Sequence, residues 1–262
     1  MQREQRRQFL LAVGCFFTCR SASAEAELKL VWRYQGVFGG LQVLADFVPG
    51  DLSRFENLAR LRHDLRRALE LRLPDIPVRL MLFHDRATMR AYLRRNLPMA
   101  PDRRALFVHN SQSSTILACE GPLLDEDLRH EFVHALLHNA IPAIPLWLDE
   151  GLAEYFEVKP AIRGRRQDYL GAIRAELSTG QPMSLSTLEQ IQQAEQLQQS
   201  DYRHAWAWVH FMLHGCPPAR DELVRFLADL GSGIPAGRLT RRLTQRVNRL
   251  ERRFRDHFSN WT

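Results

Sequence analysis

The chain has 262 residues, 45% of them hydrophobic and 25% charged, the composition of a globular protein long enough to bury a substantial core. That balance excludes a disordered, collagen-like or coiled-coil chain. The formal net charge is +6, but four of the 36 basic and one of the 30 acidic residues fall within the first 24 positions. The rest of the chain holds 32 basic and 29 acidic residues, a net charge of +3, so no nucleic-acid partner is expected.

The chain begins with an address. Arg3, Arg6 and Arg7 precede the apolar run FLLAVGCFFTC (9–19), and Ala22-Ser23-Ala24 follows. This is the layout of a signal peptide over residues 1–24, cleaved before Glu25. A run over 9–19 rises about 16 Å as a helix against a hydrocarbon core of roughly 30 Å, too short to span it. A periplasmic or secreted protein is expected, exported by the Sec or, given Arg6-Arg7, the twin-arginine route, with lipid anchoring at Cys15 the alternative to simple cleavage. Cys15 and Cys19 leave with the signal; Cys119 and Cys216 remain, as one disulfide or as two thiols.

Residues 25–120 read as an α+β subdomain. LKLVWRY (28–34) and LQVLADF (41–47) form strands joined by a Gly-rich turn. Asp51 caps a helix whose apolar face is Phe55, Leu58, Leu61, Leu65 and Leu69. VRLMLFH (78–84) is a buried strand, a short helix runs from Asp85 to about Asn96, and ALFVHN (105–110) and STILACE (114–120) are further strands. After Gly121-Pro122 nearly everything has helical character, giving a helical subdomain over 121–262. The fold class is therefore α+β: a small mixed or antiparallel sheet first, then helices, with the active-site cleft between them. EQIQQAEQLQQ (189–199) is a solvated helix or loop.

The chemistry concentrates in RHEFVHALLH (129–138). His130 and His134 stand one helical turn apart, so both imidazoles project from one face and can reach one Zn²⁺. Glu131 lies beside them as a general base for the metal's water. His138 continues the face but is a helix-end residue, not a ligand. Pro142 and Pro145 then reverse the chain, and LWLDEGLAEYFE (146–157) restarts a helix. A carboxylate in its first turn faces back toward the histidines, which makes Glu150 the third ligand. Glu154, a turn later, is placed to accept the Nδ1 proton of a liganding histidine. Near the end, Leu239, Leu243, Val247, Leu250, Phe254 and Phe258 draw one continuous helical stripe. It is expected to pack on the protein, leaving a basic face open to weak contact with an anionic envelope surface.

HEFVH followed by PLWLDEGLAEYFE resembles the gluzincin zinc metallopeptidases of the peptidase MA clan. It is most similar to the bacterial peptidase MA-like families with the pattern HExxH…WLxEGLAEY, and more distantly to aminopeptidase N. The resemblance is tight over 128–157 and looser over about 75–215. It implies a zincin-type helical subdomain with zinc on His130, His134 and Glu150, and hydrolysis of peptide bonds by Glu131-assisted attack of zinc-bound water. It also implies an oxyanion donor in DYRHAWAWVHFMLHG (201–215), either Tyr202 or His204, and an edge strand beside the cleft, which would be STILACE. The aminopeptidase motif Gly-x-Met-Glu-Asn is missing, so an endopeptidase acting on peptides or proteins is expected. Hydrolysis of a non-peptide amide of the cell wall would use the same site. The competing reading is an envelope binding or scaffold protein whose zinc site is structural or vestigial.

Overall fold

The computed structural model describes residues 30–110, 113–180 and 184–261. The expected signal peptide and its cleavage site lie outside the described residues. The fold is α+β, a five-stranded mixed sheet followed by a mainly helical region. The strands are β1 Tyr34–Phe38, β2 Leu41–Ala45, β3 Val78–Phe83, β4 Ala105–Asn110 and β5 Ser113–Cys119, in the order β1-β2-β3-β5-β4. Strands β2, β3 and β5 run parallel, and β1 and β4 pair antiparallel at the two ends of the sheet.

Two strand expectations are corrected. Of the run 28–34, residues 28 and 29 lie outside the described residues and 30–33 are not in a strand; pairing starts at Tyr34 and ends at Phe38. Gly39 and Gly40, at φ 51° and 86°, form a two-residue turn that ordinary residues resist, and the register then runs back from Phe38↔Leu41 to Tyr34↔Ala45. STILACE is not the edge strand: β5 lies between β3 and β4, and β4 is the edge. The residues explain this. Ile116 and Ala118 of β5 enter the main core while Leu117 and Cys119 enter a smaller layer on the other face. A strand buried on both faces belongs in the sheet interior.

Three helices of the first half and its border flank the sheet. Helix α1, Ser53–Leu69, buries Phe55, Leu58, Leu61, Leu65 and Leu69 as its periodicity requires. Asp51 accepts from the backbone N–H of Ser53 at 2.9 Å, while the helix cap position itself is Leu52. Helix α2, Arg86–Asn96, is capped by Asp85, which accepts from the Thr88 N–H at 2.8 Å, and covers the smaller apolar layer with Met89 and Leu93. Helix α3, Leu124–Ala140, packs on β4, β5 and α1 in the main core.

The rest is α4 Leu146–Phe156, α5 Gln167–Ser178, α6 Leu185–Leu188, α7 Gln199–His214, α8 Pro217–Gly231, α9 Leu239–Arg246 and α10 Leu250–Asn260. Residues 189–199 are loop apart from the turn Ala194–Gln196 and the first residue of α7. The terminal stripe is not one helix. Arg249 adopts φ 56° and breaks it into α9 and α10, but all six apolar residues of the stripe are buried on the protein. Cys119 and Cys216 are free thiols, the first under α2 and the second against the main core, so the disulfide alternative is not realised. No helix among the described residues is long and apolar enough to cross a membrane.

Two helices settle where the polar chemistry sits. In α4 every residue from Trp147 to Phe156 is buried, and α3 is buried from Asp127 to Leu137. The two pack on each other, and α7 closes over α4 so tightly that a Cβ on Gly151 would stand 2.7 Å from the Ala205 carbonyl oxygen. Gly151→Ala should therefore destabilise by about 1–3 kcal/mol, read as a fall in Tm of several degrees; an unchanged melting curve would show that α7 does not approach this closely.

Helix α10 is tied to α7 through histidines. His210 Nε2 donates to the Gly164 carbonyl at 2.9 Å, which leaves Nδ1 to accept from His257 Nε2 at 2.9 Å. Burial above all pushes His210 down to about 3 and His257 to about 4, from an ordinary 6.5. In the window between, the unfolded chain binds protons that the folded chain refuses, so stability is full above about pH 6.5 and falls with acidification. His210 alone should contribute a loss on the order of 2 kcal/mol at pH 5. Urea unfolding from pH 7 to 4.5 should show this slope, and His210→Leu should flatten it; equal slopes would remove His210 as the cause.

Candidate metal centre

Helices α3 and α4 meet as a hairpin across Ile141–Pro145, where Pro142 and Pro145 prevent helix continuation. The hairpin brings three expected residues together. The Glu150 Oε2 stands 3.6 Å from His130 Nε2 and 3.8 Å from His134 Nε2. These separations are too long for hydrogen bonds. They are close to the edge of a tetrahedron with arms of 2.0–2.1 Å, about 3.4 Å. His134 Nε2 and both Glu150 oxygens are buried and have no hydrogen-bond partner among the described residues. An unsatisfied buried polar atom costs about 1–3 kcal/mol, and a carboxylate more. The three side chains form a buried group that could hold a metal ion.

The other nitrogen of each imidazole is held by an acid. His130 Nδ1 lies 2.9 Å from Glu157 Oε2, and His134 Nδ1 lies 2.9 Å from Asp149 Oδ1. A histidine that donates from Nδ1 turns the lone pair of Nε2 outward, here into the group. Burial acts to raise the Asp149 carboxyl, but His134 and His138 outweigh it and hold it well below the usual carboxylate range. His138 Nε2 takes the second Asp149 oxygen at 2.9 Å, so His138 lies behind the group and is not a ligand, as its place at the helix end suggested.

Glu154 does not hold either Nδ1, contrary to expectation. Its Oε2 receives Arg166 Nη1 at 2.7 Å and the Tyr169 hydroxyl at 2.8 Å. Arg166 Nη1 also reaches Glu157 Oε1 at 2.6 Å, so one guanidinium ties both carboxylates in place. His130, Glu154 and Glu157 form a second group that could hold an ion, but there both carboxylates already bind Arg166. Glu157 was missed because it falls just past the end of α4, although it stands two turns beyond Glu150. Arg166 and Tyr169 follow a loop, and no spacing rule connects them to the motif.

Glu131 makes no hydrogen bond or ion pair with another described residue and keeps 9% of its surface in solvent. Phe107 of β4 lies over His134 with ring centres 6.5 Å apart, which sets the edge strand beside the group. On α7, Ala205 and Val209 touch the Gly151 position, and Tyr202 is one turn earlier on that stripe, buried at 7% exposure. His204 is turned elsewhere: its Nε2 binds Glu176 of α5, alongside Arg203. The structure therefore does not bring His204 into the metal group.

A family model described as a protein of unknown function (DUF1570) matches residues 126–237, which runs from the first turn of α3 past the end of α8. The matched part contains His130, Glu131, His134 and Glu150 and leaves out the whole sheet. No curated protein matches the chain.

Removing the acid behind a liganding histidine should weaken metal binding without abolishing it. Asp149→Asn and Glu157→Gln should each lower Zn²⁺ affinity about 10–100-fold in chelator competition. Glu154→Gln, linked to His130 only through Arg166 and Glu157, should lower it less. Equal affinities in all three would contradict the assigned hydrogen bonds.

Proposed function

We propose that the protein is an exported zinc metallopeptidase of the gluzincin type, more suited to internal peptide bonds than to free amino termini. The observation that carries this reading is the set of inward-facing, unpartnered atoms on His134 and Glu150, with His130 opposite and Glu131 next in the chain. Two imidazoles and one carboxylate favour zinc over calcium or magnesium, and three protein ligands leave a coordination position open. Zinc, when bound, supplies a Lewis acid that polarises a carbonyl and lowers the pKa of a water.

The chain supplies the rest. Asp149 and Glu157 keep both imidazoles in the ligating tautomer. Glu131 takes a proton from the attacking water and delivers it to the leaving nitrogen. Tyr202 is the proposed donor to the oxyanion, since His204 is held by Glu176. An extended peptide would add as a strand to β4, the edge beside His134. Export to the periplasm or beyond rests on residues 1–24. A purely structural zinc site has no use for a base beside it, which counts against the scaffold reading.

The test pairs Glu131→Gln with wild type. Both should carry about one zinc per chain, while cleavage of an internally quenched peptide library should fall about 10²–10⁴-fold in the variant. A zinc-loaded wild type that cleaves no peptide, or a variant as fast as wild type, would favour the scaffold.

A further inference from the structure

Arg129 precedes the metal-group residue His130 on α3, but successive residues of a helix point about 100° apart. Its side chain enters a different place, a cavity of about 470 Å³ between α1, the first half of α3 and the segment after α4. Arg129 is 9% exposed. It donates from Nε to the Glu157 carbonyl at 2.9 Å and from Nη2 to the Phe156 carbonyl at 3.1 Å, and so caps the C-terminus of α4. A helix terminus offers only about half a charge in compensation. Among the described residues no carboxylate lies within ion-pair distance of this guanidinium; the charges of Asp64, Asp125 and Glu157 reach it only from further away.

The acids around the cavity are already engaged. Asp64 pairs with Arg163 at 3.0 Å, Asp125 with Arg54 at 2.7 Å, and Asp51 accepts from the Ser53 backbone at 2.9 Å. Two more cations, Arg60 and Lys159, stand exposed on the rim and meet no carboxylate among the described residues. A buried cation with no carboxylate in direct contact is under-compensated. A guanidinium carries five N–H donors, and Arg129 spends only two on the carbonyls.

We propose that this cavity binds a small oxyanion, a carboxylate or phosphate group, held by Arg129 from its floor and by Arg60 and Lys159 from its rim. The anion completes the charge balance that the protein's own acids leave open. The site stands apart from the metal group and needs no metal. The two share Glu157, whose carbonyl binds Arg129 and whose carboxylate binds His130.

The experiment titrates the purified protein with inorganic phosphate and, separately, with acetate by calorimetry, against sodium chloride at matched ionic strength. Saturable one-site binding is expected, weakened about tenfold or more in Arg129→Gln. In the double variant Arg60→Ser with Lys159→Ser, it should weaken about threefold or more. The rim residues are exposed, so that double variant decides alone should Arg129→Gln fail to fold. Phosphate as the tighter probe assigns a phosphorylated ligand; acetate as the tighter assigns an organic acid or a peptide's C-terminus. No saturable binding of either anion, or binding unchanged in the rim variant, would overturn the proposal and leave Arg129 as a helix cap only.

Discussion

The structure turns on one buried carboxylate. Glu150 points into the interface of α3 and α4, at 3.6 and 3.8 Å from two imidazole nitrogens, and neither of its oxygens has a hydrogen-bond partner among the described residues. A charge in that position is tolerable only when something else neutralises it. Much of the surrounding architecture serves to keep it there. Gly151 lets α7 press against the next residue, the proline-bounded hairpin fixes the facing of α3 and α4, and acids behind the two histidines keep their lone pairs inward.

That arrangement explains why two central helices carry so many polar residues. His130, His134, Asp149, Glu150, Glu154, Glu157 and Arg166 are all buried, yet most are matched in a chain of acids and bases. Breaking one member of such a chain leaves its neighbour uncompensated, which costs more than the pair contributes when intact. The inward-facing atoms of the triad are where the matching stops, and that is the physical argument for a ligand. Arg129 shows the same imbalance with opposite sign on another face of α3.

The sequence reveals the triad because helical spacing alone puts His130 and His134 on one face, and Pro142 and Pro145 oblige the next helix to return. It reveals α1 and the inner strands for similar reasons, since their periodicity matches the faces they bury. It fails where tertiary partners decide. The start of β1 depends on the Gly39-Gly40 turn and on register, not on the apolar run before it. The edge position of β4 depends on strand order, which local pattern does not encode. Glu154 and Glu157 both follow Glu150 at helical spacing, so the sequence offers either as a partner for the histidines. Only the placement of Arg166 and Tyr169 decides that Glu157, not Glu154, reaches His130. The break at Arg249 interrupts a stripe that remains apolar throughout, so periodicity does not register it.

The most direct test of the central claim is X-ray absorption at the zinc edge on the purified protein, compared with Glu150→Ala. The account predicts about one zinc per chain with nitrogen and oxygen neighbours at about 2.0–2.1 Å, an imidazole signature from two histidines, and loss or sharp weakening of binding in the variant. A protein that takes up no metal on reconstitution, or a zinc environment indifferent to Glu150, would contradict it.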